Sequence, residues 1–334
     1  MLEDTPLSAT SSMSYTELGF YEKPLEHFWL EGLVPAVFTP FQEDGELDLS
    51  KIDEYCEFLV KNDIKAIFVN GTTGEGKSLT MEERKKVVEK WITTAMGSLK
   101  VVVHVGGLNV RDSIDLAKHA VNAGADAIAS LPPLFFKPNS IENLVEHCKT
   151  VADAAPNLPF YYYHLPYMTG VELKMEDFLI KAKKKIPNLV GLKFASKDLG
   201  DMIGCLFAGN FNILCGCDEQ LMANMVMGAH GAVGTLYNFM PQLFHRLVQY
   251  VRKGEMQNAR AEQIRAQKVL RIMLNYGHKL GGNVAAVKPF MTLVGLDLGP
   301  PRQPMRAMSV DETAEFLNDV HKLGFKDWKP AISL

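Results

Sequence analysis

Short apolar segments alternate with helix-like segments from residue 32 onward, and this alternation restricts the fold more than any other feature. The apolar segments recur at roughly thirty-residue spacing, as in β-strand–α-helix–β-strand units, whose crossovers are right-handed and whose strands are parallel. The pattern predicts an α/β fold, a (β/α)8 TIM barrel with additional C-terminal helices. A doubly wound open sheet is the competing architecture. The predicted strands are Leu33–Thr39, Ala66–Asn70, Val101–Val105, Ala127–Leu131, Phe160–Tyr163, Val190–Phe194, Ile213–Cys215 and Ala232–Leu236.

The chain divides into three predicted parts. Residues 1–28 are Ser/Thr-rich and aperiodic, and we expect a loosely ordered N-terminal arm. Residues 29–240 hold the barrel strands and helices, where Thr80-x-x-Glu83 and Ser140 are helix start signals. Residues 241–334 hold the last barrel helix and a C-terminal helical extension, with helices predicted at about Gln242–Tyr276, Ala285–Leu293 and Val310–Leu323.

Charge and cysteine content exclude several classes of protein. The net charge of −4 supplies no basic field for nucleic acid. The five cysteines show no C-x-x-C spacing, so we interpret them as reduced thiols of a cytoplasmic protein without a zinc site. The first thirty residues lack the basic and apolar regions of a signal peptide, and no apolar run of about 18 residues predicts a membrane span.

The lysine at position 193 interrupts an apolar strand, Val190–Phe194. A lysine inside a buried strand loses its hydration, which favours the neutral and nucleophilic amine, the usual origin of lysines that form Schiff bases. The alternative is that Lys193 lies at a strand end and extends to solvent. The other candidate residues decide between a reactive buried amine and a solvent-exposed one.

The segment Gly71–Ser78 matches the G-x-x-x-x-G-K-[ST] pattern of a phosphate-binding loop. In such a loop the helix starts at the Lys-Ser pair, whereas the capping box here predicts a start near Met81. A nucleotide site is therefore disfavoured. The alternatives are a loop in which Thr72 and Thr73 bind a small carboxylate, or a tight structural turn.

Three tyrosines end the fifth predicted strand. Strand alternation places Tyr161 and Tyr163 on one face and Tyr162 on the other, so phenols can point into the barrel mouth near Lys193. Aromatic filling of the core is the alternative, and it accounts for Tyr162. We expect His164 to make a local hydrogen bond.

Further polar residues follow strands seven and eight. Asp218 and Glu219 open a helix, so they serve as cap and first-turn acid or accept hydrogen bonds from sugar hydroxyls. Gly234 and Thr235 could add an amide and a hydroxyl. His104 ends strand three, and it is interpreted as a core histidine because the histidines show no metal-ligand spacing.

Four motifs occur in order: GTTGE after strand two, Y-x-x-P after strand five, G-x-K on strand six and G-x-DE after strand seven. Together they resemble the pyruvate-dependent class I aldolases of the N-acetylneuraminate lyase and dihydrodipicolinate synthase superfamily. The likeness extends from about Leu30 to Gly324. The longer strings GTTGEGKSLT, FYYYHLPYMTGV, GLKFAS and GPPRQP look like the animal N-acetylneuraminate lyase branch.

The resemblance implies a homotetramer without a cofactor and without a metal. It makes Lys193 the Schiff-base lysine, Tyr163 the proton-transfer phenol, and Thr72 and Thr73 the clamp on the keto-acid carboxylate. It assigns the polyol tail to five further residues: Gly216, Asp218, Glu219, Gly234 and Thr235.

Departures from the family pattern favour the lyase branch. Met168 stands where synthases carry an arginine that binds a second carboxylate, so the bidentate partner is missing. Phe135 aligns with a tyrosine that synthases borrow across a subunit interface. Two further departures concern substrate affinity and not the branch: Ala195 stands where lyases usually carry a hydroxyl residue near the substrate, and Thr235 replaces the more common serine.

These features predict a reversible cleavage of N-acetylneuraminate to N-acetylmannosamine and pyruvate. A related aldolase acting on another 2-keto-3-deoxy acid is the first alternative. A P-loop nucleotide hydrolase and a catalytically silent barrel are the others. We expect no nucleic-acid or membrane partner.

Overall fold

A computed structural model describes residues 28–325, and these residues form an eight-stranded parallel sheet. The prediction of a (β/α)8 barrel is confirmed. Nearly every strand residue is buried, because helices cover the outer face of the sheet and side chains fill the inner one. The strands are β1 (Gly32–Pro35), β2 (Ala66–Val69), β3 (Lys100–His104), β4 (Ala127–Ser130), β5 (Phe160–His164), β6 (Leu189–Phe194), β7 (Asn212–Cys215) and β8 (Gly231–Gly234).

The sheet closes between its first two strands. Hydrogen-bonded neighbours run in the order β1-β8-β7-β6-β5-β4-β3-β2. Beyond β1, Ala36 bridges Phe68 of β2, and the Val37 amide donates to the Phe68 carbonyl at 3.1 Å. All eight strands therefore point their carboxyl ends toward the same mouth of the barrel.

Helices follow most strands, and a helical extension follows the barrel. The capping boxes and caps predicted at Thr80 and Ser140 are present. No helix within residues 28–325 is long and apolar enough to cross a membrane. The helices are α1 (Lys51–Lys61), α2 (Met81–Ala95), α3 (Val110–Ala123), α4 (Ile141–Ala152), α5 (Pro166–Thr169), α6 (Met175–Ala182), α7 (Leu199–Phe207), α8 (Leu221–Met227), α9 (Pro241–Arg252), α10 (Met256–Leu280), α11 (Asn283–Val287), α12 (Pro289–Leu293) and α13 (Val310–Lys322).

Four strands, β1, β2, β4 and β8, are shorter than predicted, and in β1 and β8 the cause is a change of hydrogen-bond partners. After Pro35, Ala36 still donates to β8 but Val37 already donates to β2. After Gly234, the amides of Thr235 and Leu236 donate to the carboxylate of Asp218 instead of continuing the strand. Both strands therefore end before the apolar run does.

The C-terminal helices also differ from the prediction. The segment predicted as one helix from Gln242 to Tyr276 is two helices, α9 and α10, because Gly254 adopts a φ of +74° between them. The segment predicted as Ala285–Leu293 starts at Asn283 and divides at Lys288, before Pro289, which has no amide to donate. The domain boundary at residue 240 stays a prediction, and residues 1–27 of the expected arm lie outside the described residues.

Candidate active site

Lys193 lies on β6 beside Tyr163 of β5, and the two residues are direct partners in the strand register. Gly191, which precedes Lys193 by two positions, allows this arrangement. A Cβ atom at residue 191 would lie 1.9 Å from the carbonyl oxygen of Asn212 on β7, so only glycine fits between these strands. Packing between β6 and β7 therefore explains the glycine of the G-x-K motif. The lysine of the motif lies at the barrel mouth.

The amine of Lys193 is enclosed by aromatic rings. Its Nζ lies 4.0 Å from the ring centre of Tyr163 and 4.2 Å from that of Phe68, and the residue is only 4 % exposed. Desolvation lowers the pKa of Lys193 to about 7, although the negative charge of Asp218 opposes the shift. A large fraction of the amine is therefore neutral at physiological pH, as the Schiff-base prediction requires.

The phenol of Tyr163 faces the loop that follows β2. Its hydroxyl lies 3.4 Å from Oγ1 of Thr72, and burial raises the pKa of Tyr163 above its usual value. Tyr162 instead packs against Phe178 of α6, and Tyr161 donates a hydrogen bond to Asn212 inside the barrel. The predicted alternation of the three tyrosines is confirmed.

The loop of residues 71–78 brings Thr72 and Thr73 to the same mouth. Oγ1 of Thr73 lies 2.7 Å from Oγ1 of Thr235, at the end of β8. Gly74 and Gly76 pack against backbone, since Cβ atoms there would lie 2.8 Å and 2.0 Å from the carbonyl oxygens of Val37 and Asn70. A tight structural turn and a loop that offers two threonine hydroxyls are alternatives when only the sequence is considered. The structure has both features in the same loop.

The same loop does not have the geometry of a phosphate-binding loop. Helix α2 begins at Met81, as the capping box predicted, and not at Lys77 and Ser78. The amine of Lys77 donates to the carbonyl oxygen of Gly106 at 2.5 Å instead of pointing into a cradle of helical amides. This geometry disfavours a nucleotide site.

Asp218 holds the end of β8 in place. One carboxylate oxygen accepts from the amides of Thr235 and Leu236, at 3.0 and 2.8 Å, and burial raises the pKa of Asp218 to about 6. The other oxygen lies where a side chain on residue 234 would be, 1.7 Å from its Cβ position, which explains Gly234. The contact of Asp218 with a sugar hydroxyl stays a prediction.

Gly216 and Glu219 lie beside Asp218 at the mouth. A Cβ on Gly216 would lie 2.7 Å from the Cβ of Ala195, so this glycine and this alanine pack directly. Glu219 is partly exposed and lies 3.7 Å from the amine of Lys197. All nine sequence-predicted site residues therefore follow the carboxyl ends of β2, β7 and β8 or lie on β5, β6 and β8 themselves.

Two histidines near the site are buried. His104 lies 3.1 Å from the carbonyl oxygen of Asn70 through Nδ1, and Leu131 donates its amide to Nε2 at 3.3 Å. The Leu131 bond requires a lone pair on Nε2, so Nδ1 carries the proton, and burial lowers the pKa of His104. His164 packs on Phe194. Residues 28–325 contain no group of three His, Cys, Asp or Glu residues placed to hold a metal ion.

Sequence reasoning missed a buried ion pair behind the loop of residues 71–78. Glu75 Oε1 lies 3.4 Å from Nζ of Lys288, which precedes α12. Glu75 was visible in the GTTGE motif, and Lys288 could have been noticed because it interrupts the apolar run from Val284 to Phe290 as Lys193 interrupts its strand. Nothing local in the sequence indicated that the two residues meet.

Comparison with known proteins gives a consistent set of relatives. The dihydrodipicolinate synthetase family model matches residues 29–323. The chain is 42% identical to mouse N-acetylneuraminate lyase over 316 residues, which cover 91% of this chain and 98% of that protein. The structure of Proteus mirabilis N-acetylneuraminate lyase matches with a TM-score of 0.85 and 37% identity, covering 89% of this chain and 100% of that one.

A third relative concerns the lysine. The structure of the Ruminococcus gnavus sialic acid aldolase catalytic lysine mutant matches with a TM-score of 0.82 and 29% identity, covering 89% of this chain and 97% of that one. That aldolase therefore has a catalytic lysine.

Proposed function

The chain belongs to the dihydrodipicolinate synthetase family, and we propose that it is a class I aldolase that reversibly cleaves N-acetylneuraminate to N-acetylmannosamine and pyruvate. The single observation that carries the proposal is the convergence of a buried amine, a phenol and paired threonine hydroxyls at one barrel mouth. The 42% identity to mouse N-acetylneuraminate lyase supports the choice of substrate within the family.

The reaction begins with the neutral amine of Lys193. It attacks the C2 ketone of the open-chain sugar acid, and the resulting carbinolamine loses water to form a protonated imine. The pKa of about 7 supplies the neutral amine, and the enclosing rings keep bulk water from its lone pair. The protonated imine nitrogen then accepts the electron pair of the C3–C4 bond.

Tyr163 moves the proton that this cleavage releases. As the C3–C4 bond breaks, the phenol takes the proton of the C4 hydroxyl, and N-acetylmannosamine leaves with a new aldehyde. Because the raised pKa keeps the phenol protonated at neutral pH, Tyr163 gives its own proton to Thr72 Oγ1, 3.4 Å away, as it takes the C4 proton, and Thr72 gives its hydroxyl proton to the substrate carboxylate that it binds. The same path in reverse supplies the proton for the next step. The enamine is then protonated at C3, and water releases pyruvate and regenerates Lys193.

The remaining residues bind the two ends of the substrate. Thr72 and Thr73 hold the carboxylate, which places C2 against the amine. Hydrogen bonds to the polyol tail are assigned to a group at the ends of the last two strands: Gly216, Asp218, Glu219, Gly234 and Thr235. Glu219 is the more exposed of the two acids in this group and supplies an acceptor at the mouth.

We further propose a homotetramer that works in the cytoplasm. Large apolar side chains are exposed on the segments that follow three successive strands, β3, β4 and β5, at the carboxyl end of the barrel, a pattern typical of a subunit interface. They are Leu108, Phe135, Phe136, Tyr167 and Met168, which are 55–85% exposed. Light scattering coupled to size exclusion checks the assembly, and a monomer would contradict it.

Reductive trapping tests the reaction. Borohydride added with pyruvate is expected to fix the imine, so that mass spectrometry finds on Lys193 a pyruvate unit lacking one oxygen atom. Lys197→Met, which removes an exposed amine near the mouth, serves as the control and should label normally. An active but unlabelled enzyme would exclude the imine route.

Substrate assays separate the alternatives. A panel of 2-keto-3-deoxy acids is expected to show the highest kcat/KM for N-acetylneuraminate. A higher value for another acid would keep the chemistry and change the substrate. Thermal-shift measurements with magnesium ATP and with pyruvate test the nucleotide alternative, and only pyruvate is expected to stabilise the protein.

A further inference from the structure

Glu75 and Lys288 form a buried ion pair between the loop after β2 and the helices that follow the barrel. Glu75 Oε1 lies 3.4 Å from Lys288 Nζ, and the two side chains are 0% and 2% exposed. Burial raises the pKa of Glu75 and lowers that of Lys288 to about 8, while the charge of each partner opposes the other's shift. Two buried charges are costly to keep, so their value to the protein must lie in what they hold in place.

Lys288 connects the loop of residues 71–78 to the segment that follows β1. Its Nζ also donates to the carbonyl oxygens of Thr39 and Pro300, both at 2.9 Å, so that three acceptors surround the ammonium. The hydroxyl of Thr39 in turn donates to the carbonyl oxygen of Gly74 at 2.6 Å. One side chain from the C-terminal helices thus joins the segment after β1 to the loop that contains Thr72 and Thr73.

Glu75 fastens the loop from its other side. Its Oε2 accepts from the amide of Arg302 at 2.8 Å, and its own amide donates to the carbonyl oxygen of Thr72 at 3.0 Å. Glu75 adopts a φ of +53°, a left-handed conformation that is unfavourable for a residue with a side chain. The strained turn is retained because the buried carboxylate is held at both oxygens.

We propose that Glu75 and Lys288 are positioning residues that fix the spacing of the Thr72 and Thr73 hydroxyls for the substrate carboxylate. The inference rests on the proposed aldolase function, in which those hydroxyls bind pyruvate. The pair touches no substrate atom and acts only through the loop. Its effect therefore falls on the keto acid and not on the sugar.

Glu75→Gln tests this role, because it removes the charge and keeps the shape of the side chain. In the synthetic direction the KM for pyruvate is expected to rise about ten- to a hundredfold, as for small misplacements of substrate-holding groups, while kcat and the KM for N-acetylmannosamine change less than about threefold. The pyruvate concentration that gives half-maximal borohydride labelling should rise in parallel. A general loosening of the barrel would move both KM values together and would overturn the proposal.

Glu262→Gln is the matched control, since Glu262 of α10 is also a buried carboxylate but pairs with Arg246 and Arg265, at 3.0 and 2.8 Å, outside the loop. It is expected to lower thermal stability and leave the KM for pyruvate unchanged.

The double variant E75Q/K288M tests whether the two residues act together. It should raise the KM for pyruvate no more than E75Q alone, because both substitutions break the same ion pair. Multiplying effects would contradict a joint role. If the wild-type protein traps no pyruvate, the proposed function fails instead.

Discussion

Lys193 and Lys288 are both buried at the carboxyl end of the barrel, but the regions around them differ. Burial lowers the pKa of Lys193 to about 7 and that of Lys288 to about 8. Around Lys288 three oxygen atoms accept its three N–H groups. Around Lys193 two aromatic rings face the amine, and within residues 28–325 we find no hydrogen bond from its Nζ.

The difference shows that burial alone does not make a nucleophile. Acceptors around Lys288 stabilise the ammonium and direct every N–H toward the backbone or Glu75, so no lone pair faces a substrate. The rings around Lys193 exclude water without occupying the nitrogen. One lysine is thus suited to react and the other to hold the loop, although their exposed fractions are almost equal.

The largest expected effect distinguishes the two lysines by chemistry. Lys193→Met should abolish imine trapping and lower kcat on the order of 10⁶-fold, as removal of an essential nucleophile does elsewhere. Lys288→Met should still be labelled at Lys193 by borohydride with pyruvate. Steady-state assays and peptide mass spectrometry measure both. Labelling of Lys288 in either protein would show that the comparison assigns the wrong amine.

The next effect concerns the phenol of Tyr163, which lies beside Lys193. Tyr163→Phe should lower kcat by about 10²–10⁴-fold, the range for one acid–base group, while imine trapping with pyruvate persists. Tyr161→Phe, which removes the hydroxyl bonded to Asn212 deeper in the barrel, is the control and should retain most activity. Full activity of Tyr163→Phe would place proton transfer on another group.

The third effect concerns stability and falls on the other lysine. Lys288→Met leaves the carboxylate of Glu75 buried without its partner, which typically costs about 3–5 kcal/mol. Urea denaturation should show this loss, whereas Lys193→Met, which removes a desolvated amine without a hydrogen bond, should be neutral or stabilising. An equal loss of free energy of unfolding in both variants would mean that the two lysines do not differ in how much their partners stabilise them.

The sequence predicts the Lys193 region well and the Lys288 region poorly, for a physical reason. Lys193, Tyr163 and the threonines each end or follow a strand, and parallel strands bring their carboxyl ends together whatever their separation along the chain. Glu75 and Lys288 are 213 residues apart, and one of them lies between two short helices outside the barrel repeat. No periodicity relates such positions.

The errors at β1 and β8 have a similar origin. Apolar alternation continues past both strands, but the amides of Val37, Thr235 and Leu236 take partners on other elements. The hydrophobic pattern indicates which residues are buried. It does not indicate which carbonyl oxygen accepts a hydrogen bond from a given amide. Strand existence was therefore predictable, and strand ends were not.

The smallest expected effect concerns the pH dependence of Lys193. In the proposed reaction the neutral amine of Lys193 attacks pyruvate, so with a pKa of about 7 the rate of imine trapping with pyruvate and cyanoborohydride should rise about tenfold from pH 6 to pH 8 and then level off. The charge of Asp218 raises the pKa of Lys193, so Asp218→Asn should move the midpoint of this rise to lower pH. The pKa of Asp218 is about 6, so the wild-type carboxylate is mostly charged at that midpoint and its removal is felt there.

Glu219→Gln removes the neighbouring, more exposed carboxylate and should leave the midpoint where it is. A midpoint in Asp218→Asn that stays fixed or rises would mean that solvent screens the carboxylate from the amine. The conclusion that water is excluded from the surroundings of Lys193 would then be wrong, and the contrast with Lys288 depends on it. A downward shift requires a low effective dielectric between residues 193 and 218, the same condition that lets the amine lose its proton near neutral pH.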